Sequence, residues 1–277
     1  MPRRFRRGFP FEPMTASDFK LLEAGDPPPV TVTRPDGGSP FLLVCDHAGN
    51  RIPRKLGTLG VSEADLRRHI AWDVGAAEMA ERVSELLDAA LVLQSYSRLV
   101  IDCNRDPKVE SAMPLISETT EIPGNRNLDP RQIEARIAEI FRPYHDRITA
   151  MMDARAAAGR PTILVALHSF TPYYEGWGAR PWHIGILYNR DDRLPRIMLE
   201  LLGGEPDLTV GDNEPYRISD ATDYTIPVHG EGRGVLHVEI ELRHDGIEST
   251  RGQEEWAARL AHFLERAAER LGGSHDS

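Results

Sequence analysis

Cysteines are scarce in this chain, with two among 277 residues. A fold held together by several disulfides is therefore excluded. We interpret Cys45 and Cys103, each inside an apolar run, as buried thiols in the reducing environment of the cytoplasm. Long hydrophobic runs are also missing, since no stretch approaches the roughly 20 apolar residues of a membrane-spanning helix. The basic start of the chain lacks the apolar core of a signal peptide.

An excess of positive charge is the third absence. The 43 acidic residues outnumber the 33 lysines and arginines and give a formal net charge of −10. Nucleic-acid partners favour a basic face, so we expect no such partner here. A small anionic substrate would depend on arginines close to its binding site, because the overall charge repels it.

The composition divides the chain at residue 38. Residues 1–38 are rich in proline, glycine and charge, and we interpret them as a flexible N-terminal arm. Residues 39–272 carry the periodic segments and predict one catalytic domain, because single α/β domains often reach about 250 residues.

The hydrophobic pattern alternates between strands and helices. Strands are predicted at 41–46, 89–94, 99–103, 161–168, 182–188 and 235–242. Helices are predicted at 73–87, from Asp129 through a kink at Pro143 to Ile148, at 194–202 and from Thr250 onward. The strands lack polar alternation, which indicates an α/β fold with helices on both faces of the sheet. Residues 105–128 show no period and predict either a substrate loop or a cover for the sheet.

Two of the predicted strands deliver a histidine at their carboxyl end: His47 directly follows the first, and His168 ends the other. Open α/β sheets bind ligands at the carboxyl ends of their strands, and imidazole is a common zinc ligand. The pair therefore predicts a metal site. Asp73, at a helix start, is the best third ligand, although a carboxylate there is also the usual N-cap. Asp46 and His69 compete for the same role.

The last predicted strand carries charges that an apolar sheet disfavours. Alternation places four of its side chains on one face: His237, Glu239, Glu241 and Arg243. Burying either glutamate is costly unless a cation compensates. We interpret Glu241 as the base that takes a proton from a metal-activated water. Glu239 is expected to support a ligating histidine, and Arg243 to hold a carboxylate of the site or of the substrate.

Arginines flank another apolar segment. Arg98 and Arg105, with Asn104, could hold a substrate carboxylate through charge-assisted hydrogen bonds. A structural network of arginine and aspartate at a sheet edge is the alternative interpretation.

Two further polar residues complete the candidates. Ser169 follows His168 and points to the opposite side of an extended chain, so the two cannot form a nucleophile–base pair; its hydroxyl is a candidate for binding substrate. His229, beside Gly230, could reach a substrate oxyanion, with an exposed loop histidine as the alternative.

Together these segments resemble the N-formylglutamate amidohydrolase (formylglutamate deformylase) family. The matching motifs, in the family's order, are His47-Ala48-Gly49, Ser97 to Arg105, Leu167-His168-Ser169, Asn213-Glu214-Pro215-Tyr216 and Ile240 to Asp245. The resemblance implies a single three-layer α/β/α domain, phosphorylase/hydrolase-like, with a mixed, mostly parallel central sheet like that of zinc carboxypeptidases. It also implies His47 and His168 as metal ligands and Glu241 as the general base. Asn104 and Arg105 match the pair that holds a substrate carboxylate.

The chain departs from the carboxypeptidase pattern beside the first histidine. Asn50 stands where those enzymes have a ligating glutamate, so the carboxylate ligand is expected from elsewhere, with Asp73 as the candidate. Asp46 precedes His47 where the family has proline. Trp72 and Asp73 stand in the reverse order of the family's Asp-Trp pair.

These observations predict a hydrolase that binds one Zn²⁺ per chain, although other divalent metals accept the same ligands. The leading hypothesis is removal of a formyl or other small N-acyl group from an acidic amino acid, a small anionic partner. One alternative is a carboxypeptidase-like or N-acyl amino acid hydrolase acting on peptides or cell-wall fragments. The other is a metal-free protein that binds a carboxylate without cleaving it.

Overall fold

A computed structural model of the protein describes residues 19–273. Its strands are β1 (Val30–Thr33), β2 (Phe41–Cys45), β3 (Ala90–Gln94), β4 (Ile116–Ser117), β5 (Thr120–Glu121), β6 (Ile163–Phe170), β7 (Tyr173–Tyr174), β8 (Gly178–Ala179), β9 (Ile184–Leu187), β10 (Val210–Asp212) and β11 (Leu236–Arg243). Its α-helices are α1 (Ala76–Leu87), α2 (Pro130–Arg136), α3 (Arg142–Ala157), α4 (Arg193–Leu202) and α5 (Thr250–Gly273).

Seven strands form the central sheet, in the order β1-β3-β2-β6-β11-β9-β10. Four consecutive strands, β3, β2, β6 and β11, run parallel to one another. β1 pairs antiparallel with β3, and β9 pairs antiparallel with β11. The predicted mixed, mostly parallel sheet is therefore confirmed.

Helices cover both faces of this sheet. On one face Leu43 and Cys45 of β2 join a core cluster with residues of α1, α4 and α5. On the other face Leu42 and Val44 pack in a second cluster that includes Tyr144 of α3. Both faces of β2 are thus buried, which explains why its sequence shows no polar alternation. Each fully buried leucine contributes about 1.5–3 kcal/mol to this packing. The predicted three-layer α/β/α arrangement is confirmed.

Two helix starts follow from local sequence. Asp129 caps α2 in a reciprocal capping box with Gln132, as its position before Pro130 predicts. Between α2 and α3 lies a π-helical segment, Ile137–Phe141, and Pro143 stands in the first turn of α3.

Helix α1 begins later than predicted, at Ala76, and Asp73 does not cap it. Gly75 precedes the helix with φ of 76°, and a Cβ at this position would lie 2.2 Å from the carbonyl oxygen of Ile247. Only glycine suits both the left-handed backbone and the close approach. The Asp73 carboxylate is consequently available for contacts outside the helix.

The predicted strand at 99–103 is wrong. These residues form buried turns, with a hydrogen bond from Val100 N to Ser97 O and another from Asp102 N to Ala112 O. Leu99 and Ile101 are fully buried in the second core cluster. An apolar run can be buried without pairing in a sheet, and hydrophobicity alone does not distinguish the two.

The structure contains strands in two segments where the sequence predicted none. β1 falls within the stretch assigned to an N-terminal arm, and its ladder with β3 places Val30–Thr33 in the central sheet. Residues 1–18 of that arm lie outside the described residues, and the domain limits stay a prediction. Residues 105–128 contain the β4–β5 hairpin. Within residues 19–273, none of the helices has the length and apolarity to cross a bilayer.

Candidate active site

Three adjacent parallel strands deliver the candidate side chains to one edge of the sheet. His47 follows β2, and His168 lies in β6, which pairs with β2 on one side and β11 on the other. The register of β6 and β11 places Glu241 directly beside His168. Because all three strands run the same way, their carboxyl ends meet at this edge.

Asp73 joins the two histidines at the centre of this edge. Its Oδ2 lies 2.8 Å from Nδ1 of His168 and 3.4 Å from Nδ1 of His47. One ligand atom from each of the three residues lies within 4.8 Å of the others, and all three side chains are buried. The backbone N–H of Ser169 also donates to Asp73 at 3.3 Å and helps to fix the carboxylate.

The outward ring nitrogens of both histidines contact further carboxylates. His47 Nε2 lies 2.7 Å from Asp102 Oδ1, and His168 Nε2 lies 3.0 Å from Asp46 Oδ2. Each carboxylate favours the tautomer with its hydrogen on Nε2, which leaves a lone pair on Nδ1 facing the centre. Asp46 is therefore the partner of a histidine, and its alternative role as third ligand is not supported by the geometry.

The same contacts perturb the pKa values of the pair. Burial would raise the pKa of Asp46, but the hydrogen bond and charge of His168 outweigh it and lower the pKa to about 2. Burial would lower the pKa of His168, but nearby carboxylates, Glu239 and Asp46 first among them, raise it well above the ordinary value. With a proton on Nδ1, His168 hydrogen-bonds Asp73. Metal ligands must be deprotonated, so a cation at this position would displace that proton.

This cluster fits a divalent cation on its own chemistry. Asp46, Asp73 and Asp102 are buried within one small region together with Glu239 and Glu241. Arg98 supplies one guanidinium, 2.9 Å from Asp102 and 3.4 Å from Asp73. Buried carboxylates are costly unless positive charge, from protonated imidazoles or from a bound cation, compensates them. Two imidazole nitrogens and a carboxylate oxygen form a donor set that zinc accepts, with room for a fourth ligand.

Glu241 carries a buried carboxyl oxygen that lacks a partner. Its Oε2 makes no hydrogen bond to any described residue. Burial raises the pKa of Glu241 well above its ordinary value, and the carboxylates of Asp73 and Glu239 add to the rise. Glu241 lines the cavity described below. A carboxyl group in this state is suited to accept and return a proton.

Glu239 has a different neighbour from the one expected. Its Oε2 lies 3.5 Å from Nδ2 of Asn104, and it makes no hydrogen bond to His47 or His168. Asn104 in turn accepts hydrogen bonds from the backbone of Tyr224 and Thr225, at 3.1 and 3.0 Å. The expected support of a ligating histidine by Glu239 is replaced by the contacts of Asp46 and Asp102.

Arg98 and Arg105, the two arginines that flank the turns at 99–103, both reach the site, and both have acidic partners. Arg98 bonds Asp102 and Asp73, as given above. Arg105 donates to Asp223 Oδ1 and to the carbonyl oxygen of Thr222, both at 2.7 Å. The alternative interpretation of an arginine–aspartate network thus describes part of their contacts, while both also line the cavity.

Three candidates lie elsewhere or use their polar atoms in other ways. His229 is buried outside the cavity lining, with its Nε2 2.9 Å from Nδ1 of His145, and burial lowers its pKa to about 3. Arg243 is also absent from the lining and pairs with Asp245 at 2.8 Å. Ser169 lines the cavity, but its hydroxyl donates to the carbonyl oxygen of Val74. The geometry does not bring His229 or Arg243 to a substrate.

His69, the other competitor for the third ligand position, lines the cavity at a different place. Its Nε2 lies 3.2 Å from Glu118 Oε1, outside the His47, Asp73 and His168 cluster. Glu118 also binds Arg68 at 2.6 Å. This network anchors the segment 105–128 beside the cavity.

The cavity above the cluster has a volume of about 780 Å³. Its floor contains His47, Asp73, His168 and Glu241. Residues 105–128 contribute Ser111, Pro114, Ile116, Ser117 and Glu118 to its wall. The interpretation of this segment as a substrate loop is consistent with that placement. Aromatic side chains line the other wall, among them Phe170, Tyr174, Trp177 and Tyr216.

A match to a family model shows which protein family the chain belongs to. The model described as N-formylglutamate amidohydrolase matches residues 39–248. The chain belongs to this family. Membership of this family supports the activity of an amidohydrolase that acts on N-acyl amino acids.

Solved structures agree with the fold. A gene product from Agrobacterium tumefaciens is 40% identical, with a TM-score of 0.88 over 91% of this chain and 100% of that one. The N-formylglutamate amidohydrolase from Ralstonia eutropha JMP134 is 19% identical, with a TM-score of 0.65 over 89% of this chain and 99% of that one. The second similarity concerns the fold alone. A comparison with curated proteins finds no match.

Proposed function

We propose that this protein is a zinc-dependent amidohydrolase that removes a formyl or other small N-acyl group from an acidic amino acid. One observation carries the proposal: a buried cluster of two imidazoles and a carboxylate lies beside Glu241, whose buried Oε2 has no hydrogen-bond partner among residues 19–273. These are the parts needed to hold a cation and to move a proton next to it. Family membership supports the amide bond as the target.

His47, Asp73 and His168 would hold the metal ion. When bound, zinc supplies a Lewis acid that polarises the amide carbonyl and lowers the pKa of a water molecule. Asp102 and Asp46 keep the two rings oriented through their Nε2 atoms. An assay of metal content tests this assignment, and less than about half an equivalent in the gently purified protein would favour the metal-free alternative.

Glu241 would perform the proton transfers. Its free Oε2 accepts a proton from the attacking water as the new C–O bond forms. It then delivers that proton to the amide nitrogen as the C–N bond breaks, so that the amino acid leaves as an amine. The raised pKa favours the protonated carboxyl that the second step requires, and a neighbouring cation would favour the carboxylate needed for the first.

Substrate carboxylates would be oriented by Asn104 and Arg105, with Arg98 and Ser169 holding Asp73 in place. Arg105 keeps N–H donors beyond the Asp223 contact, since a guanidinium offers five. The segment 105–128 would limit the entry of water to the reacting atoms.

The size of the cavity favours a second candidate, hydrolysis of larger N-acyl amino acids or peptides. The volume of about 780 Å³ falls in the range of sites for drug-sized ligands. A formyl group would fill only a small part of this volume. A panel of N-acyl glutamates of increasing acyl length separates this candidate from the first.

The Glu241→Gln variant tests the proposed base. We expect zinc content to be unchanged and turnover of N-formylglutamate to fall by about 10²–10⁴-fold, because glutamine cannot accept the proton. Glu255→Gln, a change of the same kind on an exposed helix position, is the matched control and should behave as wild type. Full turnover in the Glu241→Gln variant would remove this residue from the mechanism.

A further inference from the structure

Arg180 is a buried arginine in the wall of the cavity that nothing in the sequence pattern singled out. Its side chain is part of a residue only 6% exposed, and it lines the cavity. The guanidinium carbon lies 4.8 Å from the ring centre of Tyr174, 4.9 Å from that of Tyr216 and 5.9 Å from that of Phe170. Three aromatic rings therefore surround a fully charged group.

This guanidinium differs from the other arginines of the cavity in its ionic contacts. Within residues 19–273, no carboxylate lies within ion-pair distance of Arg180, in contrast to Arg98 and Arg105. Its side chain makes one hydrogen bond there, from Nη1 to the hydroxyl oxygen of Tyr216 at 2.8 Å. Among the described residues, its Nε and Nη2 atoms make no hydrogen bond, so these donors are available to a ligand of the cavity that Arg180 lines.

A cation in this setting favours an anionic ligand. Burying a charge without a counter-ion is costly, and the aromatic rings offset only part of that cost. The planar fork of donors matches the two oxygens of a carboxylate. A carboxylate that enters the cavity would supply the missing charge and satisfy the free donors together.

The loop that carries Tyr216 is held close to the catalytic strand. Gly185, paired with Glu241 in the sheet, and Gly211 both approach the carbonyl oxygen of Glu214, where an added Cβ would lie at 2.0 and 2.7 Å. Side chains at these positions would displace the loop. Tyr216 and Glu241 line the same cavity.

We propose that Arg180 is the specificity-determining residue that binds the side-chain carboxylate of the acidic amino acid. The proposal rests on the function proposed above. Asn104 and Arg105 would then bind the α-carboxylate, while Arg180, within the aromatic wall, binds the side-chain carboxylate. The substrate class is then an N-acyl dicarboxylic amino acid, in preference to its neutral amide analogue.

The test compares N-formylglutamate with N-formylglutamine, which differ only in that carboxylate. For the wild-type holoenzyme we expect kcat/KM to favour the acid. Arg180→Met should reduce kcat/KM for the acid by about 100-fold, mainly through KM, and change it for the amide by less than about threefold. Arg180→Lys should restore part of the preference, because it keeps the charge and loses the fork. Arg217→Met removes an exposed arginine of the same lining and controls for the general loss of charge.

A binding measurement keeps the test independent of catalysis. By calorimetry, L-glutamate should bind wild type at least tenfold more tightly than the Arg180→Met variant, while L-glutamine should bind both equally. If Arg180→Met does not fold, Tyr216→Phe removes only the aligning hydroxyl and should lower the preference for the acid by about tenfold. Equal losses for acid and amide, or no binding of L-glutamate to wild type, would overturn the assignment. Failure of wild type to cleave any N-acyl substrate would instead refute the proposed function, and the binding data would still decide the role of Arg180.

Discussion

Replacement of Asp46 should weaken metal binding although this residue does not point at the metal position. The carboxylate is 1% exposed, accepts a hydrogen bond from Thr225 Oγ1 at 2.6 Å and lies 3.0 Å from His168 Nε2. Water cannot readily replace it. Its negative charge favours the His168 tautomer that presents a lone pair to the cation and increases the basicity of that nitrogen.

The magnitude depends on what remains after substitution. Asp46→Asn keeps an oxygen that can accept from His168 but loses the charge, so we expect about a tenfold weaker zinc affinity. Asp46→Ala removes the acceptor as well, and we expect about a 100-fold loss. These changes correspond to about 1.4 and 2.7 kcal/mol of binding free energy.

Competition with a chromophoric chelator measures the zinc dissociation constant of each variant. Turnover at saturating zinc is recorded separately, so that metal loss is not mistaken for a defect in chemistry. Thr225→Val is the matched control, because it removes the other hydrogen bond of Asp46 and leaves the contact with His168. Equal zinc affinity in wild type, Asp46→Asn and Asp46→Ala would refute the reasoning.

Two further predictions concern the cavity mouth and a buried histidine pair. Trp177→Ala should lower kcat/KM for long-chain N-acyl glutamates and leave kcat/KM for N-formylglutamate within about twofold. Tyr173→Ala, a change at an exposed position outside the cavity lining, is the control. Equal effects on both substrates would contradict the second candidate function. Burial lowers the pKa of His145 to about 4 and that of its partner His229 to about 3, below the unfolded value of about 6.5. Both imidazoles are neutral in the folded state. Their contribution to the stability of the fold is therefore complete above about pH 6.5 and is lost as the pH falls toward their folded pKa values. Between pH 7 and pH 4.5 the free energy of unfolding should fall by roughly 2–3 kcal/mol less in His145→Asn than in wild type, as measured by denaturant unfolding. Parallel pH profiles of the two proteins would contradict this prediction.

Local patterns were sufficient where a side chain's role depends on its own strand. The apolar runs ending at His47 and His168, together with the charged face of β11, predict that these residues and Glu241 lie at one edge of the sheet. Hydrophobicity failed to predict the structure of residues 99–103, because burial in a core cluster and pairing in a sheet need the same apolar residues. It also missed β1, whose strand lies among prolines and glycines.

The sequence by itself determined the layered α/β architecture and the pair of histidines, since both follow from periodicity and from the common direction of neighbouring strands. Tertiary structure decided the rest. Asp73 meets His168 across 95 residues and Asp46 meets it across 122. Arg180 gains its significance from its burial among aromatic rings in the cavity wall, where no carboxylate of residues 19–273 pairs with it. Such contacts depend on where distant segments are placed in space, and no local pattern of residues encodes that placement.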